Sequence, residues 1–333
     1  MTARFAVETW APEFGAPVTG EVLGESDATV DVTVERPPGA WAPIAPTGPP
    51  AGCVLFVDGV ERIDARVWFD NDDGLSRQGV CASWAAGVVR CDGRATVVAA
   101  EVRRGVLCPG GEAETIATRH GDYRPRPVRA VASGDPVGQA LGRARGDLEA
   151  VVASAAGADR DLLVVDGPLG ARRAIPGAVG YVKAHHVSYL PAAQQPVVGR
   201  LAPGERTPLF AVGEDRIRYS WYLRLPGPAS HAWWGVVRCE ASGDLAPADA
   251  VALADTVGAT LPRFASQPHN DPRAPQNLHP IAGLERELKR RLGDRDLLER
   301  ALRQAAAAAA AGSRGDSGRS PDPEVIAVGP RQL

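Results

Sequence analysis

The feature that most limits how this chain can fold is a pattern it uses twice: a short, unbroken apolar run closed by Asp-Gly. Cys53-Val54-Leu55-Phe56-Val57-Asp58-Gly59 is the first copy and Asp161-Leu162-Leu163-Val164-Val165-Asp166-Gly167 the second. Apolar side chains at every position, rather than every other one, suit a strand covered on both faces, and such strands belong to parallel or mixed sheets enclosed by helices. Between the copies stands Asp135-Pro136, a favoured N-cap residue followed by a favoured first helical residue. Val137, Leu141, Ala144, Leu148, Val151 and Val152 follow, mostly at spacings of three and four, which gives the helix an apolar stripe to lay on a sheet.

Other elements arrange themselves around this core. Val60 to Phe69 alternates and reads as the hairpin partner of the first strand. Gly79 to Arg90 and Ala95 to Val106 are two further strands joined by the turn signal Asp92-Gly93, making a meander of about four. After the second copy, strands are expected over Gly180 to Leu190 and Arg216 to Leu225, with Ala232 to Glu240 pairing back on the latter. Helices are expected over Ala246 to Leu261, Ile281 to Leu292 and Asp294 to Ala311. Strands, then a helix, then a strand, with an aspartate ending the first and the last, predict an α/β fold: a ribonuclease H-like mixed β-sheet flanked by helices, with a helical C-terminal region. Residues 1–50 hold Pro37-Pro38-Gly39 and Pro46-Thr47-Gly48-Pro49-Pro50, which interrupt regular structure, and read as an extension with one strand near Ala28 to Glu35. Residues 51–311 form the folded domain, and 312–333 have the composition of a disordered tail.

Composition narrows the function classes. Lys plus Arg number 37 against 40 Asp plus Glu, a net charge of -3 over 333 residues, so contact with nucleic acid needs a local patch rather than a basic whole. Lys183 and Lys289 are the only lysines, and the abundant Ala, Gly and Pro suggest a coding bias that makes arginine frequency weak testimony for phosphate binding. Cys53, Cys81, Cys91, Cys108 and Cys239 are odd in number and never spaced C-x-x-C, as in a chain with reduced, buried thiols. Neither a signal-peptide core nor an apolar stretch of about 18 residues is present, so a cytoplasmic protein with no membrane segment is expected. P-loop, G-x-G-x-x-G, G-x-S-x-G and H-E-x-x-H motifs are missing, so nucleotide hydrolysis, dinucleotide chemistry, serine esterase action and zinc proteolysis lack their usual signatures.

The two aspartates carry the chemistry. Ligands of α/β sheets collect at the carboxyl ends of strands, so Asp58 and Asp166 converge if their strands are parallel neighbours. Gly59 and Gly167 would then permit the sharp exit that leaves each carboxylate uncovered. A third carboxylate is expected from the helix, where Glu149 lies one residue past the apolar stripe and four past Arg145. Three carboxylates suit Mn²⁺ or Mg²⁺, and a pair of ions roughly 4 Å apart would serve phosphodiester cleavage. Lys183 could neutralise a scissile phosphate. Each residue also has a plainer reading: Asp-Gly as a turn, Glu149 with Arg145 as a solvated ion pair, Lys183 as an edge-strand lysine. His185-His186 read as surface histidines. Trp221, Trp233 and Trp234 stack on bases or pack between sheet and helices. Arg286, Arg290 and Arg291 contact phosphates or merely solvate a helix.

With these residues in view, the chain resembles the NurA nucleases, ribonuclease H-like enzymes that resect DNA ends. The resemblance rests on Phe56-Val57-Asp58-Gly59, on Arg145-x-x-x-Glu149, on Leu163-Val164-Val165-Asp166-Gly167-Pro168-Leu169 and on Val182-Lys183, and covers about Cys53 to Leu292. It implies metal ligation by Asp58, Glu149 and Asp166, a homodimer enclosing DNA, and a hexameric HerA-type ATPase as partner. Near the carboxyl end the family carries a tyrosine-proline pair and, eight residues after the tyrosine, a metal-holding histidine. Here His279-Pro280 stands where that pair is expected and Glu287 where the histidine would be, so either Glu287 or His279 completes the site, or this lineage has lost that ligand. Two rivals stand beside the nuclease reading. One is a non-catalytic ribonuclease H-like docking module for a DNA-translocating ATPase. The other is an actin-like or sugar-kinase-like phosphotransferase, for which only one of two matched halves is evident.

Overall fold

A computed structural model describes residues 24–70, 76–110, 113–131, 134–157, 160–185, 187–214, 217–227 and 231–316. In chain order its elements are β1 (Gly24–Glu25), β2 (Val30–Asp31), β3 (Val54–Asp70), β4 (Ser76–Cys91), β5 (Ala95–Leu107), β6 (Ile116–Thr118), β7 (Gly121–Arg126), α1 (Pro136–Ala155), β8 (Leu162–Asp166), β9 (Ala178–Val182), β10 (Val187–Ser188), α2 (Pro196–Gly199), β11 (Phe210–Val212), β12 (Arg218–Arg224), β13 (Val236–Ser242), α3 (Pro247–Thr260), α4 (His279–Arg291) and α5 (Arg295–Asp316). The chain divides into two compact units, one comprising Met1–Arg62, Ser83–Arg103 and Gly138–Leu292, the other Ile63–Ala82, Arg104–Val137 and Gly293–Leu333.

The first unit is a mixed sheet with flanking helices, an α/β fold. Its strands lie in the order β2-β11-β12-β13-β9-β8-β3-β4-β5. Within that series β5-β4-β3-β8-β9 is the ribonuclease H-like arrangement: a meander whose first strand, β3, runs parallel to β8, which runs parallel to β9. Both apolar runs sit at the centre of the sheet, where each face is covered, and this is why neither alternates. Val54 and Phe56 of β3 and Leu162 and Val164 of β8 share a core with Ala254 and Val257 of α3 and Ile281, Leu284 and Leu288 of α4. Strand pleating sends Leu55, Val57, Leu163 and Val165 to the other face, where they are also buried. A buried side chain of this size contributes about 1.5–3 kcal/mol, so these two strands fix the sheet's centre.

The second unit contains the outer lengths of the meander strands together with β6, β7 and α5. There β7 adds parallel to the end of β5 and antiparallel to β6. The buried Asp64 carboxylate accepts a hydrogen bond from Tyr123 Oη at 2.9 Å, and Cys81, Val106, Tyr123 and Leu302 form a small core.

Several expected elements take a different course. Val60 to Phe69 does not return as a hairpin: β3 continues straight through Asp58-Gly59 for 17 residues, so the meander has three strands rather than four. The alternation was real, but it belongs to the extension of the same strand. The stripe of α1 turns slightly from the expected one, with Ala140, Leu141, Leu148, Glu149, Val152 and Ala153 buried and Val151 47 % exposed. The strand expected from Gly180 to Leu190 ends at Val182, and β10 is a separate pair with β1. The N-terminal strand shrinks to β2, because the segment is held mainly by side chains: Trp41 Nε1 donates to Val32 O at 2.9 Å, and the fully buried Arg206 pairs with Glu35 and Asp255. Helix α5 continues past Ala311 to Asp316, and the remainder of the predicted tail, 317–333, lies outside the described residues. Asp135 caps α1 as expected, its Oδ1 accepting the Val137 N–H at 2.9 Å. None of the five cysteines forms a disulfide, and burial pushes the Cys81 thiol up to about 12 and the Cys91 thiol to about 11. No helix among the described residues is long and apolar enough to cross a membrane.

Candidate active site

Register sets the site. Val57 pairs with Val165 in the parallel β3–β8 ladder, so Asp58 and Asp166 are the next residues along neighbouring strands. By pleating both carboxylates project to the face that carries Phe56 and Val164, the side packed by α4. β8 ends at Asp166, and Gly167, at φ +86°, turns the chain away while exchanging two backbone hydrogen bonds with Tyr181 of β9. Glu240 of β13 steadies this turn by accepting the Leu169 N–H at 2.9 Å. Space is so tight that a Cβ on Gly180 would lie 2.8 Å from Leu169 N.

Lys183, one residue past β9, donates from Nζ to Asp166 Oδ2 at 2.8 Å and to Asn277 Oδ1 at 3.1 Å. Asn277 is fully buried and passes the connection on, Nδ2 donating to Asp271 Oδ2 at 2.7 Å. Arg273 N–H bonds the other Asp271 oxygen, and its guanidinium reaches Glu285 at 2.6 Å. The segment before α4 thereby holds the lysine in place. Neither Asn277, Asp271 nor Glu285 was singled out from sequence.

Asp58 is 5 % exposed, and only the Gly59 N–H, at 2.7 Å, donates to it in the described contacts. Burial, followed by the neighbouring charge of Asp166, pushes its carboxyl up to about 7; Lys183 and the Gly59 N–H pull it down, while Glu285 adds to the rise. Asp166 Oδ1 is buried and has no hydrogen-bond partner among the described residues. Two adjacent acids, one holding its proton to near neutrality and one with an orphaned oxygen, share a single ammonium, so the pocket becomes net negative only as Asp58 ionises.

Glu149 arrives from the opposite side of β3. Gly59 is no turn; it is the gap through which the carboxylate approaches the strand, since a Cβ there would lie 2.5 Å from Glu149 Oε1 and 2.8 Å from Arg145 Cγ. The carboxylate is wholly buried, with Arg145 Nη1 donating to Oε1 at 2.6 Å and Arg172 Nη1 bonding Oε2. Arg145 also reaches Glu61 at 3.0 Å. Arg172 stands on the 3-10 turn Gly170–Ala174 that follows Asp166, and desolvation, then Arg145, lowers it to about 10.

Asp58, Asp166 and Lys183 are therefore brought together, whereas Glu149 lies on the opposite side of β3, engaged by two arginines. Glu287 is turned to Arg290 and Arg291, whose hydrogen bonds hold it down to about 2. His279 is exposed at the start of α4 and lines a cavity of about 620 Å³ with Gly52, Arg263 and Phe264. Neither shares a described contact with the aspartates; the glutamate of α4 that Asp58 feels is Glu285. His185 Nε2 lies 3.0 Å from Val236 O and its ring meets Tyr222 and Trp233, while His186 is outside the described residues. Trp221 and Trp234 are buried in packing.

Among the described residues no three His, Cys, Asp or Glu side chains converge as a metal-binding cluster. The donors nonetheless suit a hard cation in part: Asp58 and Asp166 supply the oxygens that Mn²⁺ and Mg²⁺ prefer, one of them partnerless. The third expected ligand, Glu149, has both oxygens bound by guanidinium groups.

No family model matches the chain, and no curated protein matches it. Among solved structures it is similar to the crystal structure of the NurA nuclease from Sulfolobus solfataricus, at 10 % identity and a TM-score of 0.44, over 84 % of this chain and 89 % of that one.

Proposed function

We propose that this chain is a divalent-cation-dependent DNA nuclease that hydrolyses phosphodiester bonds in DNA end processing or repair. The observation that carries the reading is the pairing of Asp58 and Asp166 on adjacent parallel strands, the first buried and raised by that burial and by the charge of the second, which keeps one carboxylate oxygen partnerless. In this reading Asp58 and Asp166 hold Mn²⁺ or Mg²⁺, with Glu149 as the third ligand. Such an ion would polarise a phosphoryl oxygen and lower the pKa of attacking water. Asp58 gives up its proton when the pocket gains positive charge. Lys183, anchored by Asn277, keeps one ammonium beside the pocket, where it can offset charge on a phosphate. The resemblance of the motifs extends the proposal to a cytoplasmic homodimer working with a hexameric HerA-type ATPase.

Purified protein with end-labelled linear DNA and Mn²⁺, Mg²⁺ or EDTA tests it, wild type beside Asp58→Asn and Asp166→Asn. Cleavage that needs both the cation and the two aspartates is expected. Cleavage unchanged in both variants overturns the site. The double arginine clamp on Glu149 favours a second reading, a non-catalytic docking module for the ATPase. Silence of the wild type even with that ATPase present would select it.

A further inference from the structure

Helix α5 covers only part of the second unit. Leu302 joins Cys81, Val106 and Tyr123 in the small core there. Ala305, Ala306 and Ala309 follow three, four and seven residues later on the same helical face, and their methyl groups leave a gap where a longer side chain would fill it. The result is a cavity of about 1540 Å³ lying wholly within that unit, lined also by Val67, Trp68 and Phe69 of β3 and Ile116 of β6. Pockets for small ligands run to about 1,000 Å³, so this one suits a stretch of polypeptide better.

Its lining defines what fits. Trp68 is 65 % exposed, more than any other large apolar side chain among the described residues, and an indole left in water beside an apolar trough calls for cover. The charged side chains are Arg66, Arg77, Arg126 and Arg303 against Glu114 and Glu299, and Arg303 bonds Glu299 at 2.6 Å. The trough is therefore net positive, and an apolar segment with carboxylates beside it is the complement.

The chain carries such a segment just after α5. Asp322-Pro323-Glu324-Val325-Ile326-Ala327-Val328 sets two carboxylates at the head of four apolar residues, three of them β-branched, between Pro321 and Gly329-Pro330. Reach is ample: α5 runs about 10 Å from Ala309 to its end at Asp316, and the chain from there to Val325 can span up to about 30 Å. A segment that turned back along the helix leading to it would also be held at roughly millimolar local concentration by its tether. We propose that this trough is the docking site of the chain's own residues 322–328, with Val325, Ile326 and Val328 covering Trp68 and the alanine face while Asp322 and Glu324 meet the arginines. The proposal is independent of the nuclease reading.

The test is acrylamide quenching of Trp68 in the full chain, taken as the difference between each protein and its Trp68→Phe counterpart. Releasing a tail that is mainly docked exposes the indole, so Val325→Asp with Ile326→Asp is expected to raise the quenching constant about twofold. Arg66→Glu, at an exposed position, repels both carboxylates and should give part of that rise. A peptide of residues 320–331 added to the Val325→Asp, Ile326→Asp chain should restore the protection. Equal quenching of wild type and the tail variant overturns the proposal. So does protection that ignores the tail substitutions and vanishes on dilution, which marks a second copy as the occupant. Protection that appears only with added oligothymidylate overturns it as well, and marks nucleic acid.

Discussion

Asp58→Asn should make the first unit more stable, and the gain should depend on pH. The fold holds this buried carboxyl protonated up to about 7, whereas an unfolded chain releases it near 3.8. Between those values the unfolded chain binds fewer protons than the folded one, so wild-type stability falls as pH rises across that window and levels off above it. About three pH units at about 1.36 kcal/mol each give roughly 4 kcal/mol at pH 8 as the upper bound. Asparagine keeps the size, can still accept the Gly59 N–H and carries no charge to desolvate. Urea unfolding without divalent ions, followed by fluorescence of the buried Trp84, Trp221 and Trp234, reads the effect. The variant is expected to exceed wild type by roughly 2–4 kcal/mol at pH 8 and by little at pH 4. Parallel pH profiles for the two proteins would refute the reasoning, because they would mean that folding does not burden Asp58.

Lys183→Met removes the cation that lowers Asp58 and pairs Asp166, so the acid limb of the cleavage pH profile should move upward by about one unit or more; an unmoved limb would remove the lysine from the site. Gly180→Ala would set a Cβ 2.8 Å from Leu169 N and 3.2 Å from Gly167 O, both backbone atoms, so the turn behind Asp166 must shift. A loss of about 1–3 kcal/mol in urea unfolding is expected, with a larger relative loss of cleavage. Arg206→Met would leave Glu35 and Asp255 without their shared buried cation and should cost about 3–5 kcal/mol by the same assay while sparing Mn²⁺ affinity.

The centre of the fold was legible because burial on both faces leaves a plain mark: two unbroken apolar runs around a striped helix. Asp166 and Lys183 stand where β8 and β9 end, as the apolar runs suggest, whereas Asp58 lies inside β3 and meets Asp166 only through the parallel register of the two strands. Gly59 misled, since a glycine that makes room for Glu149 looks in sequence like one that makes a turn. Only the helix packed across the strand distinguishes them. On α4, Glu285 and Glu287 are two residues apart and so flank the buried stripe of Ile281, Leu284 and Leu288 on opposite sides. Which flank meets Asp58 depends on the position of the helix, which spacing does not encode. Asn277 and Arg172 act from irregular segments, where no periodicity announces a side chain's direction.

Crystals soaked in Mn²⁺ and measured at the manganese absorption edge test the central claim most directly. An anomalous peak against the carboxylates of Asp58 and Asp166, lost in Asp58→Asn crystals, is the expected result. Manganese bound only elsewhere, with Lys183 still seated on an Asp166 oxygen and that pocket empty, would contradict the account.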